Sequence, residues 1–246
     1  MPALAAQRSI AAILDQADAL RAKRREALAQ LDNLTQSIFI EMFGDPARNQ
    51  KSWPLGVIRD ILESASYGTS EKSSAEGEFP VLRMNNITRS GELDLQNLKY
   101  MDLPLKDRER YLVKAGDVLF NRTNSAELVG KTTMIPDFAP KLAYAGYLVR
   151  LRVNAENNPV YLTRFLNTAY AKRMLRGMCK SIIGMANINA TEIQAMQIAI
   201  PPRQLQQTFA TRIHVIEALK ATHHTAMAQL DTLFASLQHR AFRGEL

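Results

Sequence analysis

The sequence runs to 246 residues, 46% hydrophobic and 22% charged, with a formal net charge of +7, which is enough apolar material to bury a core in one or two domains. No apolar run approaches the roughly 18 to 20 residues that cross a bilayer, and Gln7, Arg8 and Asp15 interrupt the opening stretch, so it reads as a poor signal peptide and the expectation is a cytoplasmic protein. A single Cys179 excludes an internal disulfide framework, and four scattered histidines beside it offer no metal-ligand spacing.

The first predicted element is a long helix within residues 1–45. Ile10, Ile13, Ala17, Leu20, Arg24, Ala27, Leu31, Leu34 and Ile38 recur at alternating spacings of three and four, the a/d pattern of a coiled coil. Gly44, Asp45 and Pro46 end it, since glycine suits the position after a helix and the residue before proline avoids the helical region.

Residues 46–201 read differently. "FPVLRMNNIT", "GELDLQNLKYM", "YLVKAGDVLFNR", "ELVGKTTMI" and "LAYAGYLVRLRV" are short strand-like runs punctuated by Gly, Pro and Asn. "PVYLTRFLNTAYAKRMLRGM" has helical spacing, so this stretch is predicted to be mixed α/β. Its polar turns carry side chains suited to base edges or phosphates: Tyr67, Thr69, Ser70 and Lys72; Arg83, Asn85 and Asn86; Arg122, Asn124, Ser125 and Lys131; Lys180, Asn187 and Asn189. Arginine matches guanine bidentately and asparagine matches adenine, whereas lysine and serine mostly grip the backbone. Asparagine in a turn also serves local hydrogen bonding, so each residue alone is a weak signal. A positive net charge attracts polyanions through counterion release, which admits nucleic acid as a partner without requiring it.

Residues 202–246 form a second long helix, begun after Pro201 and Pro202. Phe209, Arg212, Ile216, Leu219, His223, Ala226, Leu230, Leu233 and Leu237 lie on the grid of the first helix. The match is more than a pattern: residues 19–43 align with 218–242 at a constant offset of 199, and 11 of 25 positions are identical, including "AQLD" in both copies. Two equivalent helices therefore bracket an unlike middle. They either pack on their own domain or zip together, with each other or with a second copy, along Leu20, Ala27, Leu31, Leu34, Ile38, Ile216, Leu219, Leu230, Leu233 and Leu237.

The runs "LTQSIFIEMFGDPARNQKSWPL", "GDVLFNRTNSAELVGK", "SIIGMANINATEIQAMQIAIPPRQLQQ" and "LFASLQHRAFRGEL" resemble the specificity subunit of type I restriction-modification systems, and the resemblance spans essentially the whole chain. It implies an α+β fold in which one mixed α/β target-recognition domain is flanked by two long conserved helices forming an antiparallel coiled coil. The family pattern has two recognition domains; this sequence has one, in the manner of a half-size form. The resemblance implies a subunit that reads one half of a bipartite site on double-stranded DNA. Its implied partners are S-adenosylmethionine-dependent modification subunits that methylate adenine and an ATP-driven restriction subunit.

A single recognition domain implies self-pairing as a homodimer on an inverted-repeat target, which would restore the twofold symmetry of a full subunit. A helix of about 40 residues would be roughly 60 Å long and would set the half-site spacing. No Walker-type loop and no methyltransferase Asn/Asp-Pro-Pro-aromatic motif occurs, so the chain is read as non-catalytic, with no cofactor of its own. The other reading is a coiled-coil assembly scaffold whose middle domain binds protein or peptide.

Overall fold

The computed structural model of the chain describes residues 4–137, 140–182 and 185–243. Two compact units emerge, one made of residues 1–38 with 211–246 and the other of residues 39–210. The middle unit is thus longer at both ends than the stretch from 46 to 201, taking in the last turn of one long helix and the first turns of the other.

Helix α1 spans Leu4–Phe43. It stops where expected: Gly44 is left-handed at φ 85° and returns its N–H to the Ile40 carbonyl at 2.8 Å. Strand β1 (Leu55–Val57) and a helical turn at Ile58–Ile61 lead into β2 (Leu62–Tyr67). Next come β3 (Phe79–Leu82), β4 (Lys99–Met101), helix α2 (Leu105–Tyr111), β5 (Val118–Asn121), β6 (Thr123–Asn124), β7 (Thr132–Met134), β8 (Ala143–Tyr144) and β9 (Leu148–Val153). The predicted helix over 159–178 is two helices, α3 (Pro159–Leu166) and α4 (Ala169–Met178). Asn167 ends the first, and the Thr168 hydroxyl caps the second by accepting from the Ala171 N–H at 3.1 Å. Strands β10 (Lys180–Ile182) and β11 (Met185–Asn187), helix α5 (Ala190–Gln194) and β12 (Gln197–Ala199) follow. Helix α6 runs over Arg203–Arg243, directly after the proline pair.

In the middle unit an antiparallel sheet of order β2-β9-β5-β7 is the largest. Central β5 is buried along its whole length, as a strand with neighbours on both edges and cover on both faces must be. A second sheet, β4-β3-β8, pairs β3 with β8 in parallel, and a third, β10-β11-β6, contains the β10–β11 hairpin. Leu82, Ile87, Leu119, Leu142, Tyr144 and Leu148 fuse the first two into one core. Phe39, Phe43, Tyr161 and Phe209 form a second, aromatic core with ring centroids 4.7 to 5.7 Å apart.

In the helical unit, α1 and α6 run antiparallel and close on each other within one chain. Arg21 pairs with Asp231 at 2.7 Å and Asp32 pairs with Lys220, so numbering rises along one helix as it falls along the other. The buried and half-buried positions include Leu14, Ala17, Arg21, Arg24, Leu28, Leu31, Thr35 and Ile38 on α1, and Ile213, Ile216, Lys220, His223, Met227, Leu230, Phe234 and Leu237 on α6.

That seam corrects the sequence reading. Ala27, Leu31, Ile38, Ile216, Leu230 and Leu237 are shielded as expected. Leu20, Leu34, Leu219 and Leu233 are 46%, 46%, 48% and 50% exposed and lie on an outer face instead. Two interleaved grids of alternating three and four share Ala17, Arg24, Leu31 and Ile38 on α1 and Ile216, His223, Leu230 and Leu237 on α6. The true partner grid uses polar Arg21, Thr35 and Lys220, which are satisfied by bonds that a search for apolar residues does not register.

Candidate nucleic-acid interface

Four segments of the middle unit converge at one edge: the end of β2, the β5–β6 junction, the turn before β9, and β11. Gly68 lies so close to the Tyr144 and Ala145 backbone that a Cβ there would meet Ala145 O at 2.3 Å. The Gly146 N–H donates to the Thr69 carbonyl at 2.7 Å. Both contacts lock the loop after β2 against the turn before β9.

At the centre stands Arg122. Its Cζ sits 5.0 Å from the centroid of the Tyr67 ring, and its Nη2 donates to Asn187 Oδ1 at 2.9 Å. Its main chain is fixed on both sides, the N–H donating to Tyr147 O at 3.0 Å and the carbonyl accepting from Ile188 N–H at 2.9 Å. The Tyr67 hydroxyl accepts from the Ala190 N–H at 2.9 Å, which sets the ring plane. Tyr67 and Tyr147 remain 42% and 50% exposed, so the assembly is ordered yet open.

The expected residues divide by what they bond. Tyr67, Arg122 and Asn187 meet as described, and Ser70, Lys72, Asn85 and Ser125 are exposed on the surrounding loops. Thr69 is buried and its hydroxyl accepts from the Glu71 N–H at 3.1 Å. Asn86 is buried and donates to the Asp94 and Gln96 carbonyls, pinning its own turn. Arg83 reaches the Asn97 carbonyl at 3.0 Å. Asn124 is buried against Asn121 at 2.8 Å, and Asn121 also holds the Tyr147 carbonyl.

Lys131 turns inward, donating to Met84 O at 2.7 Å and to Ile87 O, and burial with Arg89 nearby lowers its pKa. Asn189 caps α5, accepting from Glu192 N–H at 2.8 Å while Glu192 answers at the Asn189 N–H. Thr69, Asn86, Asn124, Lys131 and Asn189 therefore shape the loops from inside. The side chain of Lys180 lies outside the described residues.

Tyr147 escaped the sequence reading, although a Gly-Tyr step between two apolar runs is a usable signal for an exposed aromatic at a tight turn. Met185 sits on the β10–β11 hairpin and is 38% exposed, so its apolar side chain is a surface feature of that hairpin. Among the described residues no cluster of His, Cys, Asp or Glu could hold a metal ion, and no helix is long and apolar enough to cross a membrane.

Comparison with known proteins decides the family. Residues 50–231 match the family described as the type I restriction modification DNA specificity domain. The chain belongs to that family. The specificity subunit of the type I restriction enzyme EcoKI from Escherichia coli K12 is 26% identical over 196 residues, covering 77% of this chain and 42% of that subunit. A solved chain of a type I R-M system superposes with a TM-score of 0.58 at 20% identity, over 100% of this chain and 61% of the other. The HsdS subunit from Thermoanaerobacter tengcongensis gives a TM-score of 0.55 at 20% identity, over 97% of this chain and 57% of that one. The chain thus spans between about two fifths and three fifths of the length of these proteins.

Proposed function

We propose that this chain is a sequence-reading component of a type I restriction-modification assembly, in which the middle unit recognises one half of a bipartite duplex-DNA target. The observation that carries this reading is Arg122 held open between Tyr67 and Asn187 in a chain of the DNA specificity family. Ser70, Lys72, Asn85 and Ser125 on the neighbouring loops, and Tyr147 at the turn, supply further polar and aromatic contacts. Lysine and serine suit backbone phosphates, which fix register without reading sequence. The chain itself is non-catalytic and holds no cofactor. Modification subunits bring S-adenosylmethionine, and a restriction subunit brings ATP.

Self-association as a homodimer belongs to the same proposal. Antiparallel helix pairs place equivalent heptad positions on one face, so Leu20, Leu34, Leu219 and Leu233 form an outer apolar surface. A twofold interface uses the same patch on both copies, and a second copy is the proposed occupant of this one. A dimer carries two identical recognition units and suits an inverted repeat.

Gel retardation of random duplex DNA across a salt series tests the main reading. A DNA reader loses affinity steeply and linearly in log salt, and selection from a randomised library then enriches a defined half-site. Weak binding independent of salt would sink it in favour of a scaffold whose middle unit binds protein.

A further inference from the structure

We infer that Arg122 reads a guanine in the half-site, with Asn187 as its positioning residue. The inference rests on the DNA-reading function proposed above and goes further, to one base and one side chain.

Its first support is the missing counter-ion. Several ordered arginines are given carboxylates: Asp117 holds Arg152 bidentately at 2.8 and 2.9 Å, Glu78 holds Arg108 at 2.6 Å, and Asp231 holds Arg21 at 2.7 Å, whereas Arg83 and Arg24 bond a carbonyl and a histidine instead. Among the described residues no carboxylate pairs with Arg122. Its partners are an aromatic face and a neutral amide oxygen, which orient the guanidinium without neutralising it. A cation fixed in this way has donors left over for a partner outside the chain.

The second support is geometric. The cation–π contact with Tyr67 and the bond to Asn187 restrain the guanidinium before any ligand arrives, and the two main-chain bonds of Arg122 fix the backbone that carries it. A phosphate demands charge and tolerates a mobile lysine. The O6 and N7 acceptors of guanine lie in the plane of a base and reward a planar fork already aligned.

Asn187 already has a partner within the chain. Arginine only donates, so the atom facing Nη2 must be the amide oxygen. The bidentate adenine contact needs that oxygen for N6 and the amide N–H for N7. While it holds Arg122, Asn187 has one lone pair of that oxygen committed within the chain, which makes it first of all a positioning residue.

Library selection with the purified chain, comparing the parent with Arg122→Lys and Asn187→Ala, tests this directly. The expected parent consensus contains one invariant G. Arg122→Lys keeps the charge but loses the fork, so preference at that position falls by about 5- to 150-fold, with the other positions and the salt slope unchanged. Asn187→Ala weakens the same preference at the same position, an outcome that a merely structural role would not confine to one base. Thermal melting of each variant separates lost reading from lost folding. An unchanged consensus in both folded variants overturns the guanine assignment alone. That assignment also falls if Arg122→Ala weakens every sequence equally and lowers the salt slope by about one, the signature of a phosphate contact. A parent that enriches nothing and binds without salt dependence overturns the proposed function and this inference together.

Discussion

Arg24 donates to His223 Nδ1 across 3.2 Å, and these two residues occupy the same position of the internal repeat, 199 apart in the chain. Equivalent positions that face each other lie close to a local twofold axis. The flanking ions obey it. Arg21 holds Asp18 and Asp231, while Lys220, its repeat mate, holds Glu217 and Asp32, which are the mates of those two acids. The repeat is thus visible as a symmetric pair of helices closed within one chain.

Symmetry of sequence does not make the two clusters equal in energy. Lys220 is 2% exposed, whereas the side chain of Arg21 is 20% exposed. Removing the acid from the deeper cation leaves the less hydrated charge. Asp32→Ala should therefore destabilise the helical unit by about 1 to 2 kcal/mol and Asp231→Ala by less. Paired denaturant titrations followed by circular dichroism decide it, and equal losses would contradict the burial difference.

Asp117 offers a parallel case in the middle unit. Buried in the turn before β5, it accepts both donors of Arg152 and the Lys114 N–H, with Arg150 Nε 3.9 Å away. Its pairing raises the Arg152 pKa. Asp117→Ala strands two guanidinium groups, one of them 5% exposed, and should cost about 3 to 5 kcal/mol. A midpoint shift in urea of less than about 1 kcal/mol equivalent would show that water replaces the carboxylate.

These examples mark what was legible in the sequence. Gly44 and the pair Pro201 and Pro202 act on their own backbone, so both helix boundaries could be read locally. The seam could be read only by half, because Arg21 and Lys220 become interior residues through acids about 200 positions away. The break at Asn167 and Thr168 is hidden in the sequence because both residues also occur on exposed helix faces, and only their bonds to Thr163, Thr132 and Ala171 make them a terminus. At the candidate interface, Asn86, Asn124, Asn187 and Asn189 look alike in sequence. Their partners differ: two carbonyls, an asparagine, an arginine and a helix end. Composition located the loops, and packing assigned the roles.

Lys172 carries a dependence on pH. Its ammonium is turned onto the Gly130 carbonyl, and burial, with Lys131 nearby, pushes its pKa down to about 7 from an ordinary 10.5. Between those values the unfolded chain binds the proton more tightly than the folded one, so this group's contribution makes stability rise with pH across that window. Below about pH 7 the folded state carries the full penalty of a buried charge. Lys172→Met should therefore be more stable than the parent at pH 6, with the difference narrowing by at least about 1 kcal/mol by pH 10. Urea midpoints at both pH values measure it; a gap that is constant or widens would place the ammonium in water.

The outer face of the helical unit gives the last prediction. The register set by Arg21 with Asp231 and Asp32 with Lys220 brings Leu20 level with Leu233 and Leu34 level with Leu219. These four half-exposed leucines lie on one face of the helix pair, two at each level. Glutamate is well tolerated where a leucine meets water, and is costly where it must be buried against another apolar surface. The double substitution Leu34→Glu with Leu219→Glu should leave the melting of a monomeric chain nearly unchanged, because neither side chain closes α1 on α6. It should abolish self-association, and with it the avidity for a duplex carrying two half-sites, while binding to a single half-site persists. Light scattering at matched concentrations, read beside binding to one-site and two-site duplexes, separates these effects. A variant that remains dimeric and keeps the two-site advantage would place the contact between copies elsewhere on the chain.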